Sequence, residues 1–257
     1  PHNNIDCWRK RTDAYEPLAP RGQDGRWRWL LYDTDFGFGL YDSYTNDSLG
    51  RVLNNSLSEH NRLFNRLILN ANFRSAFINA LADNLNTSFK PARVTAMIDE
   101  MEAKIQSSRS EHNNRWQVSI GERAEMKTFA IQRPAVMRSH ILAHFGLSGT
   151  YNLTVSRNED WGHVQVNNIL INEKTPGINA AAPYPWTGQY YNSVPIVLRA
   201  LPRPACRFSH WEDIPSGLDP FSETLTLTLA EDASVTAVFK TTSLLHYWSF
   251  NNADSLL

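Results

Sequence analysis

Two aspartates, Asp33 and Asp35, follow an apolar stretch with one residue between them. In an extended backbone, side chains two positions apart leave the same face, where two carboxylates repel each other unless a cation lies between them. Oxygen ligands suit a hard divalent ion such as Mg²⁺ or Mn²⁺ that also binds phosphate. The same pair can instead cap a turn after a buried strand. The spacing therefore leaves two interpretations open, a metal site and a turn.

A strand is predicted to carry these carboxylates. Tryptophan and arginine alternate over residues 26–29, with the period of two that is typical of a strand with one buried face. Residues 30–32 continue the strand into the interior. Gly37 and Gly39 follow the aspartates, and glycine can adopt the positive φ angles of a tight turn.

Two asparagines, Asn3 and Asn4, lie near the start of the chain. An amide oxygen close to a carboxylate pair can add a ligand to a metal ion or orient a phosphate. On composition alone, an Asn-Asn pair at a terminus is also typical of a plain loop. The asparagines therefore become candidate ligands only if the fold brings them to the aspartates.

The run WRWLLYDTDFGFG at residues 27–39, together with the Asn-Asn element, resembles the CotH kinase family of atypical kinases related to spore coat protein H. The resemblance covers roughly residues 1–147. Asp35 begins an Asp-Phe-Gly tripeptide at residues 35–37, and it is similar to the aspartate that holds Mg²⁺ in protein kinases. The resemblance implies ATP and Mg²⁺ or Mn²⁺ as cofactors, with Asp33, Asp35 and Asn4 as metal ligands and Asn4 and Asp35 also contacting the nucleotide.

The same resemblance implies an α+β fold, in which an incomplete kinase-like domain of strand and helical lobe precedes a small antiparallel β domain. The sequence starts at Pro1 and not at an initiator methionine, so we interpret the chain as an internal fragment. The family pattern places the catalytic aspartate and the nucleotide-binding lobe upstream of Pro1. The catalytic residue is therefore unknown, and we expect this fragment alone to be inactive.

Helices are predicted across residues 57–146, where apolar residues recur at helical spacing. Ser58 is a candidate cap, and Pro91 stands where a helix tolerates proline. A last helix is expected over about 122–145, with a kink or break at Pro134 and a stop at Gly146. A polar stretch at residues 41–55 lies between the aspartates and these helices. Its hydroxyl residues Tyr44, Thr45 and Ser48 are either phosphate acceptors or ordinary loop residues.

Three histidines invite a zinc interpretation that we do not favour. His112 lies among carboxylate and amide residues, but nothing at helical spacing completes a ligand set. His140 and His144 are four residues apart near the end of the last helix, without a third ligand. Histidine in a last helical turn more commonly compensates the helix dipole.

The composition changes after residue 147, where short alternating runs predict an antiparallel β domain. The expected strands are 151–155, 163–166, 194–200, 225–229 and 235–239. The order of segments resembles the divergent bacterial repeats of the internalin B type, which occur as spacers or adhesion units on secreted or surface proteins. The segments that carry this resemblance are 162–164, 198–200 with Pro202, 208–211 and 237–239.

Six aromatic residues of this region allow two interpretations, a glycan-stacking platform or packing within the sheets, and packing is favoured for most of them. They are Trp161, Tyr184, Trp186, Tyr190, Tyr191 and Trp211. Residues 245–252 resemble the opening strand of a laminin-G or concanavalin-like jelly roll. The expected domains are thus 1–147, 148–241 and the start of a third at 242–257.

Composition narrows the class of protein further. An apolar content of 42% with 20% charged residues is typical of a folded chain. The 25 basic and 26 acidic residues give no reason to expect nucleic acid as a partner. No apolar run approaches the roughly 20 residues that cross a membrane. Cys7 and Cys206 fall in different predicted domains, so a disulfide between them is not expected.

Three functions follow as hypotheses. The first is a secreted or cell-surface kinase that transfers the γ-phosphoryl group of ATP to protein hydroxyls. The second is a catalytically idle kinase-like scaffold that binds a cell-surface partner or a glycan through its β domain. The third is phosphate hydrolysis at the same metal site. Upstream lysine, glutamate and aspartate residues would favour the kinase over the scaffold.

Overall fold

The structure, a computed structural model, describes residues 4–8, 28–33, 37–40, 42–54, 59–117 and 123–242, with only the backbone given for 4–8, 28–33, 59 and 60. The chain divides into two compact units. The helical unit comprises residues 1–150 and 189–194, and the β unit comprises 151–188 and 195–257. The expected domain boundaries at 147 and 241 stay a prediction.

The helical unit contains one strand pair and a succession of helices. Among its described residues the elements are β1 Asn4–Trp8, β2 Arg28–Asp33, α1 Ser48–Asn54, α2 Glu59–Leu67, α3 Ala71–Asn86, α4 Pro91–Ile105, a 3-10 turn Gln106–Ser108, α5 Arg109–Trp116 and α6 Arg123–Phe145.

The helix ends follow local sequence signals. Asn70 caps α3, since its side-chain oxygen accepts a hydrogen bond of 3.0 Å from the amide of Phe73. Pro91 begins α4, at the position where its missing N–H costs nothing. Gly146 ends α6 with a φ of 63°, as predicted. The expected cap Ser58 lies outside the described residues.

Helices α2, α3 and α6 meet through a chain of phenylalanine rings. The Phe64 and Phe77 centroids lie 4.9 Å apart, and those of Phe77 and Phe145 lie 6.2 Å apart, both nearly edge to face. Ala82 of α3 and Ile141 of α6 are fully buried beside this chain of rings. Burial of these apolar surfaces stabilises the helical arrangement.

A kink or a break was expected at Pro134, and the break does not occur, because α6 runs without interruption from Arg123 to Phe145. Proline removes one helical hydrogen bond, and its ring crowds the preceding turn. Here Pro134 is itself buried, and Ala130 and Ile141 on either side of it are buried too. Tertiary packing on both sides of the proline thus offsets the lost hydrogen bond.

Residues 189–194 belong to the helical unit and meet the end of α3 through a polar network. The side chain of Asn86 donates to the carbonyl of Gln189 at 2.9 Å and accepts from its amide at 3.0 Å. The hydroxyl of Tyr190 donates to Asp83 Oδ1 at 2.9 Å, and Arg138 donates to Asn86 Oδ1 at 2.9 Å. Tyr190 is fully buried and Asp83 is only 3% exposed, so this network replaces water around buried polar groups.

The β unit has two four-stranded sheets, in the orders β6-β3-β10-β8 and β5-β4-β7-β9. The strands are β3 Thr150–Arg157, β4 Gly162–Val166, β5 Ile169–Leu170, β6 Trp186–Tyr191, β7 Ile196–Pro202, β8 Cys206–Glu212, β9 Thr224–Leu227 and β10 Ala233–Thr241. Thr150 and residues 189–191 of these strands are assigned to the helical unit.

The α+β class is confirmed, and the strand pairs of the second sheet are antiparallel as predicted. One pair differs from the antiparallel expectation, since β10 runs parallel to β3. All five predicted strands are present, whereas β5, β6 and β8 were not predicted. The alternation of buried and exposed residues is broken in β8, which faces a register shift in β10, and β6 buries two successive tyrosines.

Phe239 and Tyr184 make two close contacts in the interior of the β unit. A Cβ added to Gly162 on β4 would overlap the ring of Phe239, which is fully buried on β10. Glycine is therefore required where the β4 backbone approaches this ring. The hydroxyl of Tyr184 donates to the carbonyl of Ile171 at 2.8 Å and accepts from the amide of Val164 at 2.7 Å.

Most of the aromatic residues considered for a glycan platform are packed inside. Those at most 4% exposed are Trp186, Tyr190, Tyr191 and Trp211, and Trp161 and Tyr184 are partly buried. The packing interpretation is thereby confirmed for most of the set. Cys206 carries a free thiol. No helix among the described residues is long and apolar enough to span a membrane, and the jelly-roll-like segment at 245–252 lies outside them.

Candidate functional site

The register of the first strand pair brings together two of the predicted ligands. β1 and β2 are antiparallel, and Asn4 is the cross-strand partner of Asp33, the last residue of β2. Directly opposed Cα atoms in such a pair are about 5 Å apart. A register shift between Asn4 and Ile5 makes the pairing irregular at this end. The third ligand, Asp35, lies outside the described residues, two positions beyond the end of β2.

A tight turn follows the Asp-Phe-Gly tripeptide. The amide of Leu40 donates to the carbonyl of Gly37 at 3.1 Å, and Phe38 and Gly39 have φ angles of 52° and 80°. Positive φ at Gly39 was the predicted use of that glycine, whereas Phe38 adopts it with a side chain present. A Cβ at Gly39 would lie 3.1 Å from the Phe129 ring of α6. The turn is therefore shaped both by its backbone and by contact with α6.

An open cleft of about 290 Å³ adjoins this turn. One wall is the chain just after the Asp-Phe-Gly tripeptide, and the other is the first two turns of α6. The cleft combines carboxylate, hydroxyl and aromatic groups, and its lining residues are Phe38, Gly39, Asp42, Ser43, Tyr44, Ala124, Glu125, Thr128 and Phe129. Such a mixture of polar and apolar groups can hold an extended polar ligand beside the strand end.

Arg133 of α6 binds the backbone of the segment that forms the first wall. Its Nη1 donates to the carbonyl of Tyr44 at 2.7 Å and to that of Asn46 at 2.6 Å. Its guanidinium carbon also lies 5.8 Å from the centre of the Phe129 ring. Burial lowers the pKa of Arg133, and the charges of Asp47 and Asp42 partly offset that effect.

Asp47 is held between α1 and two histidines of α6. Its Oδ1 accepts from the amide of Gly50 at 2.8 Å, which caps α1. His144 Nε2 lies 2.5 Å from Asp47 Oδ2, and His140 Nδ1 lies 3.5 Å from Asp47 Oδ1. A Cβ on Gly50 would lie 2.8 Å from His144 Cε1, so glycine makes this close approach possible.

The electrostatics favour ionised carboxylates in this segment. Burial alone would raise the pKa of Asp47, but the amide of Gly50 and the ring of His144 lower it on balance. The amide of Ser43 is the main group that lowers the pKa of Asp42. Both carboxylates are therefore charged at neutral pH.

The histidines do not form a zinc site in the part of the chain that the structure describes. No group of three His, Cys, Asp or Glu side chains there could hold a metal ion. His140 and His144 instead contact Asp47, and His112 is exposed on α5. The assignment of metal ligands to Asn4, Asp33 and Asp35 stays a prediction.

Sequence analysis missed the importance of Arg133, Asp47 and Phe129. Nothing local marks Arg133, because its acceptors lie 89 and 87 positions away in the chain. For Asp47 a local signal was available, since aspartate is a favoured residue immediately before a helix.

Comparisons with known proteins address each unit separately. A family model described as CotH kinase protein matches residues 2–137, which is more than half of the 257 residues. A second family model, described as divergent InlB B-repeat domain, matches residues 173–243. No curated protein and no solved structure gives a significant match. Both family resemblances inferred from the motifs are confirmed.

Proposed function

Because the chain belongs to the CotH kinase family, we propose that it supplies the metal-binding part of an ATP-dependent protein kinase. The reaction would transfer the γ-phosphoryl group of ATP to a hydroxyl of a protein substrate. In such a transfer the protein acts chiefly by positioning the reactants and by stabilising charge.

One structural observation carries the proposal: the register that pairs Asn4 with Asp33. These two residues are far apart in sequence but meet at the end of β2, immediately before the Asp-Phe-Gly tripeptide at 35–37. A plain loop at Asn4 and a plain turn at Asp33 would need no such pairing. The pairing therefore supports a shared role for the amide and the carboxylates.

The donor set fits a hard divalent cation. Asp33, Asp35 and Asn4 offer only oxygen ligands, which suit Mg²⁺ or Mn²⁺ bound to phosphate. We assign Asp35 as the principal ligand, with Asp33 and Asn4 completing the protein's share. A bound cation of this kind would neutralise charge on the phosphate oxygens. The turn at 37–40 would hold the backbone after Asp35 in one conformation.

We further propose a secreted or cell-surface location and a protein substrate. The match of residues 173–243 to a divergent InlB B-repeat supports this, because modules of that type serve as spacers or adhesion units on surface proteins. The open cleft beside the turn supports an extended acceptor rather than a small molecule, since one side of it is solvent.

The test is transfer of label from γ-labelled ATP by the full-length protein that contains this chain, with Mg²⁺ or Mn²⁺. Asp35→Asn, Asp33→Asn and Asn4→Ala are the variants, and Asn84→Ala, at an exposed asparagine of α3, is the control. We expect the aspartate variants to lose transfer on the order of 100-fold. Binding of Mn²⁺ in the presence of ATP, measured by electron paramagnetic resonance, provides a readout independent of activity.

The outcomes separate the three functions. Labelled protein that disappears in the aspartate variants supports the kinase. Release of phosphate from ATP without labelled protein indicates hydrolysis at the same site. A folded protein that binds neither nucleotide nor Mn²⁺ contradicts both and favours a scaffold.

A further inference from the structure

Helix α6 contacts the segment that follows the proposed metal motif, Asp33 and Asp35, at four places along one side of the helix. Phe129 packs on the turn at 37–40, with its ring centroid 5.8 Å from that of Phe38. Arg133 follows four residues later, and His140 and His144 lie two and three turns further along. Residues spaced in this way share one side of a helix.

Arg133 makes the strongest of these contacts. One nitrogen donates to two carbonyls, those of Tyr44 and Asn46, which fixes two peptide planes at once. Hydrogen bonds from a charged donor are stronger than those between neutral groups. Because the guanidinium is part-buried, its removal would also leave both carbonyls without that donor.

The two histidines hold the far end of the same segment. Asp47 lies next to Asn46 in the chain and begins α1, and its carboxylate contacts both imidazoles. The segment 38–47 is thus attached to α6 at its start, its middle and its end. It also forms one wall of the cleft whose other wall is α6 itself.

We infer that Phe129, Arg133, His140 and His144 form a clamp on α6 that positions residues 38–47 for phosphoryl transfer. This inference rests on the proposed function, because positioning has meaning only for a reaction at the adjoining metal motif. The clamp holds the turn at 37–40 and the wall of the cleft formed by residues 42–44 against the same helix. Displacement by about 1 Å can cost roughly 100-fold in rate.

The clamp assigns a positioning role to Arg133, whose guanidinium donates to the backbone of Tyr44 and Asn46. Its loss should reduce kcat while leaving the affinity for nucleotide unchanged. Loss of a ligand such as Asp35 should instead impair binding of metal and nucleotide. The two classes of residue therefore differ in which kinetic constant they change.

The experiment compares Arg133→Gln and Arg133→Lys in the full-length protein, with Arg74→Gln as the control. Arg74 is an exposed arginine of α3, so its substitution removes the same charge far from the segment. For Arg133→Gln we expect kcat to fall roughly 10- to 100-fold with the KM for ATP within about twofold of the wild type. Arg133→Lys keeps a cationic donor and should restore part of kcat.

Hydrogen exchange provides a readout that does not need activity. Amides of residues 38–50 should exchange at least about tenfold faster in Arg133→Gln, while those of α3 and α4 keep their protection. Gly50→Ala perturbs the other end of the clamp, because the added Cβ forces Asp47 and His144 apart. It should accelerate exchange in the same segment and lower kcat in the same way.

Two results would overturn the inference. One is unchanged exchange in residues 38–50 of Arg133→Gln, which would show that the contacts do not hold the segment. The other is faster exchange with unchanged kcat, which would show that its position does not matter for transfer. If the wild-type protein is folded and its residues 38–50 are protected from exchange, but it transfers no phosphate, the proposed function is refuted. The positioning role is then refuted with it. Exchange and activity together therefore distinguish the two failures.

Discussion

Replacement of Asn86 by alanine should destabilise the helical unit by about 2–3 kcal/mol. The change removes three hydrogen bonds of 2.9–3.0 Å, two with the backbone of Gln189 and one from Arg138. Each partner left unsatisfied costs about 1 kcal/mol where water has some access, and up to about 3 kcal/mol where it has none. Gln189 and Arg138 are only partly buried, so the lower figure applies to each. The better helix propensity of alanine returns about 0.5 kcal/mol.

Denaturant unfolding followed by the helical circular-dichroism signal measures this loss, because the described helices all lie in the helical unit. Asn84→Ala is the matched control. Asn84 is an exposed asparagine on the same helix, and its side chain bonds only to the carbonyl of Ala80 in its own helix. The control should change stability by less than about 0.5 kcal/mol. A loss below about 1 kcal/mol for Asn86→Ala would refute the reasoning that residues 189–194 are held through this side chain.

Three further substitutions or conditions test the two units. Gly162→Ala should destabilise the β unit by about 1–3 kcal/mol in denaturant unfolding, because the added Cβ overlaps the buried ring of Phe239. Burial raises the pKa of Tyr184 from 10.0 to about 12, so the folded β unit retains the proton more tightly and loses stability as pH rises through that window, by up to about 2–3 kcal/mol. Tyr184→Phe should remove that pH dependence, and an unchanged profile would contradict the assignment. Gly39→Ala should cost the helical unit about 1–3 kcal/mol in thermal unfolding, since alanine at a φ of 80° is strained.

Local patterns predicted most of the helical elements. The apolar periodicity over 57–146 indicated the helices, and Pro91 and Gly146 marked ends that the structure reproduces. The prediction of a helix break at Pro134 was wrong, because burial on both sides of the proline overrides its local tendency to end a helix. Propensity describes an isolated segment, whereas the packed neighbours of α6 decide whether its helix continues.

Contacts between distant segments could not be predicted. The side chain of Tyr190 meets Asp83 across 107 positions, and Arg133 meets Tyr44 across 89. Neither residue type reveals its partner, because tyrosine and arginine are common in cores and on surfaces alike. The proximity of Asn4 to the aspartates likewise depends on the strand register, which sequence spacing across residues 9–27 does not specify.

The membership of residues 189–194 in the helical unit restricts how such chains can be rearranged in evolution. A recombination point between residues 137 and 173, in the gap between the two family matches, would exchange Gln189 and Tyr190 together with the repeat. An incoming repeat without a tyrosine at that position would leave the carboxylate of Asp83 buried and without that hydrogen bond. Inheritance of the kinase-like domain is therefore linked to a short stretch of the sequence that follows it, and an exchange of repeats costs least stability where the incoming repeat keeps that stretch.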